Sequence, residues 1–230
     1  KTGEPISVGK SAVSKISFTP SGTPCSGPGF FPARRPASHA AAVGHRLYGI
    51  RVSGRAWITV DGFAVTRTED RAIYFSSSSD HAVITHNRAT WAYHAGTQVS
   101  TSPAALTASN VVASCLDHGI YLSGATSSTV QDNESSRNAK PGNAAANGIY
   151  LSAGSTDDLV QRNRLHDNLG IGLQTQSSSN NLLSIQNLSW ANGDRGFVDA
   201  ASTGARHLGD VAWGNAHEGF ALSDGATTAT

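Results

Sequence analysis

An all-β chain wound as a right-handed parallel β-helix is the fold this sequence predicts. Three observations predict it. A Gly-plus-apolar strand motif returns every 22 to 29 residues, an Asn follows most copies at a similar distance, and a second Asn lies five residues beyond the first. A fixed period of this size marks a solenoid, in which each unit buries its apolar face only by stacking on the next.

The strand motif is clearest in Gly119-Ile-Tyr-Leu-Ser and Gly148-Ile-Tyr-Leu-Ser, and it recurs from Gly49, Ala72, Gly96, Gly170, Gly196 and Gly219. Alternation sends Ile and Leu to one face and Tyr and Ser to the other. Stacking then makes an internal ladder of Ile50, Ile73, Ile120, Ile149 and Ile171. The second landmark is Gly62, Asn87, Asn110, Asn133, Asn163, Asn187 and Asp210, and the third is Asn138, Asn168, Asn192 and Asn215. An Asn at the same corner of each coil can bond its neighbours above and below, and so satisfy bent backbone that no sheet covers. A leucine-rich repeat would need a Leu-x-x-Leu-x-Leu skeleton, which is absent, and a propeller would need longer blades. About eight coils are expected over residues 43–230. Residues 1–42 hold Pro5, Pro20, Pro24, Pro28, Pro32 and Pro36 and read as an irregular N-terminal cap, with Pro5-Ile-Ser-Val as a possible first strand. A fresh coil begins at Gly219 shortly before Thr230, so a longer parent chain is expected.

Composition narrows the function. The 230 residues carry a net charge of +1 with 14% charged residues, so no concentrated basic face for nucleic acid is expected. No apolar run is long enough for a membrane span, and a monomer is expected. Cys25 and Cys115 read equally as a disulfide or as two thiols.

Chemistry must sit outside a filled coil, on an outer face or in turns. Tyr74, Tyr121 and Tyr150 fall on one outer row, and Tyr121 and Tyr150 are candidate sugar-binding residues. The turn before each first strand stacks Asp70-Arg71, His94, Asp117-His118, Asn147, Asp167-Asn168, Asp194-Arg195 and His217-Glu218 into a column. Oxygen ligands in such a column suit Ca2+. Asp199 stands at the phase where other coils bury Leu or Val, so it needs a partner, a metal or a shifted strand; Asp194 and Arg195 are the nearest partners in sequence. One longer turn, Arg137 to Asn147, adds Lys140 beside the column, with Arg137 as a candidate substrate contact.

The repeat Gly-Ile-Tyr-Leu-Ser with Val130-Gln-Asp-Asn133 resembles the β-helix repeats of secreted polysaccharide lyases, over roughly residues 43–226. Trp190-Ala-Asn-Gly-Asp-Arg-Gly-Phe-Val-Asp199 resembles the family-9 pectate lyase motif, although Arg195 stands where that family has a second Asp and Val198 is an extra residue. The resemblance implies a secreted enzyme on an acidic polysaccharide. It implies Ca2+ held by Asp194 and Asp199, with Asn192 and Asp167 nearby, and β-elimination by a basic side chain. Arg195 and Lys140 lead as that base, ahead of His118. Two other classes stay open: a glycoside hydrolase using two carboxylates among Asp167, Asp194 and Glu218, and a non-catalytic glycan-binding surface protein.

Overall fold

The computed structural model describes residues 7–8, 16–18, 46–143 and 146–228. All the elements among them are strands, arranged in three parallel sheets that run along a right-handed solenoid. The first sheet stacks Ile50–Ser53, Ile73–Ser76, Thr97–Ser100, Ile120–Ser123, Ile149–Ser152, Leu173–Thr175, Phe197–Ala200 and Phe220–Ser223. The second runs from Ile58–Asp61 to Thr203–Leu208 and the third from Ala64–Thr66 to Val211–Trp213. Seven turns are complete and an eighth has begun. Of the predicted cap, Ser7–Val8 and Ile16–Phe18 pair antiparallel with Ile50–Ser53 and Ile58–Asp61; the rest lies outside the described residues.

The core is a stack of like on like. Ile50 lies beside Ile73, Ile120 beside Ile149, Leu122 beside Leu151 and Val130 beside Val160, all buried. Cys115 is a buried thiol, free of any disulfide, and Cys25 lies outside the described residues. Ile171 departs from the expected ladder. Leu173, not Ile171, pairs with Ile149, and Ile171 packs outside the coil with Val198 and Ala200. The reason is the corner glycine. A Cβ at Gly172 would stand 2.1 Å from Ser189 Oγ and 2.6 Å from the Gly196 carbonyl, so Gly172 rather than Gly170 opens this coil.

Both Asn columns form continuous ladders. Asn163 Oδ1 accepts from the Asn133 backbone N–H at 3.0 Å and its Nδ2 at 2.9 Å, while Asn163 Nδ2 donates to Val130 O and to Asn187 Oδ1 at 2.9 Å each. The same pattern links Asn87, Asn110 and Asn133, and separately Asn138, Asn168, Asn192 and Asn215. Each ladder residue directly follows a residue with positive φ, among them His86, Ser109, Asp132, Arg162 and Gln186 in the first ladder. A left-handed turn costs a non-Gly residue about 1–2 kcal/mol. It also aims backbone N–H groups along the axis, where the Asn oxygen of the next coil accepts them.

Asp210 ends the first ladder with a carboxyl group in place of the amide. Its Oδ1 accepts from Asn187 N–H at 2.7 Å, and its Oδ2 accepts from Ser184 Oγ at 2.5 Å and His207 Nδ1 at 2.9 Å. His207 Nε2 then reaches Asp199 Oδ2 at 3.1 Å, and Asp199 Oδ1 accepts from Thr175 Oγ1 at 2.8 Å. Asp199 is therefore inside the coil, 2% exposed, and its partner is His207 rather than Asp194 or Arg195. Burial opposes a charge on His207, but hydrogen bonds from it to Asp199 and Asp210 outweigh this and hold its pKa up at about 9.

Two predictions follow from the ladder and its end. Asn163→Ala orphans two donors on Asn133 and the Val130 carbonyl, so stability should fall by about 3 kcal/mol or more. Thermal unfolding should register this as a midpoint loss of roughly 2–4 °C per kcal/mol. Since His207 binds its proton more tightly folded than unfolded (6.5), its contribution is complete below about pH 6.5 and lost as pH rises toward 9. Denaturant titrations should show wild type losing stability over that interval and a His207→Gln variant losing much less.

Candidate active site

The first sheet and the turns leading into it bring one group of the predicted residues together. Tyr121 and Tyr150 are neighbours in register, with ring centroids 5.1 Å apart. His118 stacks on Tyr150 at 4.4 Å, and His94 faces Tyr121 at 6.4 Å. Asp117 lies among them: His94 Nε2 is 3.3 Å from its Oδ2, His118 Nε2 is 3.6 Å from its Oδ1, and Asn143 Nδ2 donates to Oδ1 at 3.2 Å. The long turn thus folds back along the axis. Lys140 ends 4.8 Å above the ring of Tyr93, two coils back along the axis, with Nζ 3.5 Å from the Tyr93 hydroxyl.

The tautomers follow from the partners. The backbone N–H of Asn147 donates to His118 Nδ1 at 3.1 Å, so that nitrogen carries a lone pair and Nε2 carries the proton toward Asp117. Burial pushes His118 down to about 4 against the pull of Asp117, and burial lowers His94 in the same way. Both rings are neutral at neutral pH. Burial, with Tyr121 nearby, raises Tyr150 so that its phenol keeps its proton, which it donates to Gln176 Oε1 at 2.7 Å. Tyr121 and Ser152 share a hydrogen bond of 2.9 Å. Below this wall Arg71 bonds Asp70 at 2.5 Å and also Gln98, and its guanidinium sits 4.6 Å over Tyr74.

The other predicted residues go elsewhere. Arg195 is paired with Glu218 at 2.6 Å and Asp194 at 3.1 Å, and a guanidinium between two carboxylates cannot serve as a base. Arg137 is exposed at the third-sheet end of the long turn. The four expected Ca2+ ligands do not assemble one site. Asn192 spends its amide in the ladder, with its Oδ1 taken by Asn168 and its Nδ2 by Leu165 O, Ser189 Oγ and Asn215 Oδ1. Asp199 is inside the coil, Asp194 is held by Arg195 and by His217 at 3.0 Å, and Asp167 pairs with His166 at 2.8 Å. Among the described residues, no group of three His, Cys, Asp or Glu side chains is arranged to hold a metal ion.

His94 and Asp117 stood in the predicted column without an assigned role. Gln176 was missed altogether, Ser152 was read only as an outward strand position, and Asn143 only as part of the longer turn. Ser152 carried a signal, since it shares the outer face with Tyr150; Gln176 and Asn143 carried none, because their reach depends on how two turns bend.

Comparison with known proteins agrees with the architecture. A family model of the right-handed β-helix region matches residues 48–229. This chain belongs to the right-handed β-helix family. No curated protein matches it. Among solved structures it is similar to the periplasmic alginate epimerase AlgG, with TM-score 0.59 and 20% identity over 69% of this chain and 42% of that one. It is also similar to the A-module of the mannuronan C-5 epimerase AlgE4 of Azotobacter vinelandii, with TM-score 0.57 and 16% identity over 74% and 54%. A third is the enzymatically active domain of tailspike protein 2 of bacteriophage CBA120, with TM-score 0.59 and 14% identity over 78% and 38%. The chain spans about half or less of each of these proteins, and the likeness is one of fold. The β-helix family member described here shares its architecture with proteins that act on polysaccharides. No helix among its described residues is long and apolar enough to cross a membrane.

Because His118 binds its proton less tightly folded (about 4) than unfolded (6.5), it destabilises the fold progressively as pH falls from about 6.5 to 4. Acid unfolding curves should therefore be shallower in that window for a His118→Asn variant than for wild type. Equal slopes would mean that the imidazole is not buried against Tyr150.

Proposed function

We propose that the protein is a secreted enzyme that cleaves an acidic polysaccharide by β-elimination, with Asp117 accepting the C5 proton of a uronate residue. The observation that carries this reading is the setting of Asp117. In the turn column Asp70, Asp194 and Glu218 are each neutralised by a guanidinium, whereas Asp117 is held only by two neutral imidazoles and one amide. It keeps its lone pairs, lies partly open to solvent, and belongs to the cluster in which His94 and His118 stack on Tyr121 and Tyr150.

Each residue has a role in the step. The C5–H bond breaks and its proton passes to the Asp117 carboxylate. The electron pair forms the C4–C5 double bond, the C4–O bond breaks, and the Tyr121 hydroxyl supplies the proton that the leaving oxygen takes. Lys140, on the folded-back turn, offers a positive charge to the uronate carboxylate as negative charge grows on it. His94 and His118 are positioning residues that fix the carboxylate. The tyrosine pair is a stacking platform for sugar rings. The hydrolase reading has less support, because Asp194 and Glu218 are both tied to the Arg195 guanidinium.

Incubation with polygalacturonate and with alginate, each with Ca2+ and with chelator, tests the reading. Ultraviolet absorbance of an unsaturated uronate should rise, and it should fall at least roughly 100-fold in Asp117→Asn while circular dichroism stays unchanged. Asp194→Ala should keep activity within roughly threefold, since its carboxylate is tied to Arg195. New reducing ends without the absorbance would replace elimination by hydrolysis. Solvent deuterium entering C5 without chain cleavage would keep the proton abstraction and discard the elimination.

A further inference from the structure

The third sheet carries a second concave feature, on a different face from the wall described above. It is lined by Ala64, Thr66, Arg67, Arg88, Thr90 and Trp91. Its construction follows from register. Ala64 pairs with Arg88 and Thr66 with Thr90, so the outward row runs Ala64, Arg88, Val111 and the next runs Thr66, Thr90, Ala113. Ala64 is short, and it leaves a hollow beside the two threonines. The hydroxyls of Thr90 and Thr66 bond each other at 3.1 Å and form a polar floor. Arg67 and Trp91 occupy successive left-handed corners, with φ of 55° and 58°, one coil apart along the axis, and make one wall. Arg88 makes the other.

Arg71, Arg162, Arg164 and Arg195 are each clasped by a carboxylate within 3.1 Å or less. Among the described residues, neither Arg67 nor Arg88 has a carboxylate partner. The neighbours of Arg88 along its row are Ala64 and Val111, and the next acid in that row, Glu134, is bound by Arg164. Trp91 is 57% exposed, an indole with one face open to water. Two guanidiniums without counter-charges, a hydroxyl floor and an open indole within one hollow are complementary to a single ligand chemistry. A sugar ring stacks on the indole, its hydroxyls meet the threonines, and its carboxylate is forked by the arginines.

We propose that this hollow is a glycan-anchoring site for one carboxylate-bearing sugar residue of an acidic polysaccharide, separate from the Asp117 wall. It holds the polymer without chemistry. It would keep a released chain near the rod and raise its effective concentration at the first sheet.

Calorimetric titration of the intact protein with an acidic tetrasaccharide tests this, in an Asp117→Asn background so that no substrate is consumed. The expected stoichiometry is two per chain, falling to one in Arg67→Ala/Arg88→Ala. Trp91→Ala should weaken the second site by roughly tenfold and Trp91→Phe should restore most of it. The affinity of this site should also fall as salt is raised. A neutral tetrasaccharide and inorganic sulfate serve as further probes, and neither should match the acidic sugar. Equal binding of sulfate alone would make this a simple anion site and overturn the proposal. An unchanged stoichiometry in the arginine double variant would overturn it too. The outcome is independent of turnover. An inactive enzyme that still loses a bound sugar on removing Arg67 and Arg88 would sink the β-elimination reading and leave this one standing.

Discussion

Everything in this molecule depends on one hydrogen-bond pattern, the Asn side chain that closes a backbone bend in its own coil and binds the Asn of the next. A solenoid with three short strands per coil must bend sharply between them, and each bend turns peptide N–H groups out of the sheets. Left unpaired in the interior, each would cost about 1–3 kcal/mol. The buried Asn oxygen accepts both the backbone N–H and the amide of the coil beside it, so one side chain settles two donors per coil. This pins the vertical register, and with it the position of every side chain on the outer faces.

The Asp117 wall is a product of that register. His94, Asp117, Tyr121 and Tyr150 come from three successive coils, and only in-register stacking sets their rings at stacking distance. Burial then does electrostatic work that no single residue type could do. It keeps both imidazoles neutral, so the partners of Asp117 are hydrogen-bond donors and not counter-charges. At the other end of the rod the same principle runs with the opposite sign. His207 sits between Asp199 and Asp210, and two anions outweigh the desolvation that would otherwise strip its proton. The interior changes from apolar to polar along the axis, and it stays satisfied because each polar group arrives with a partner.

The repeat, its three landmarks and the inward rows of Ile, Leu and Val were readable because period and alternation are written in residue types. Where two glycines lay close together the reading slipped: Gly170 and Gly172 both offer an opening, and only the Ser189 and Gly196 atoms crowding Gly172 decide between them. The bends themselves were hidden. His86, Asp132, Arg162 and Gln186 take left-handed conformations that their identities do not announce. In the candidate site, Tyr121 and Tyr150 could be picked out on one outer row, His118 in the turn column before it, and Lys140 on the longer turn beside that column. The assignment of Asp194, Asp199, Asn192 and Asp167 to a shared ion followed a motif, and the motif is silent about inside and outside.

The sequence by itself determined that this chain stacks coils, that the apolar rows other than Ile171 face inward, and that polar turn residues line up in one column. Those facts are periodic, and periodicity survives in a linear string. Only the tertiary structure decided which members of that column carry a usable charge. The chain could not show that Arg195 is consumed by Glu218, that Asp199 answers to His207 from eight residues on, or that a folded-back turn brings Asn143 to Asp117. Charge state depends on burial and on partners several ångströms away, and those distances are set by how loops bend between coils, where the repeat imposes nothing.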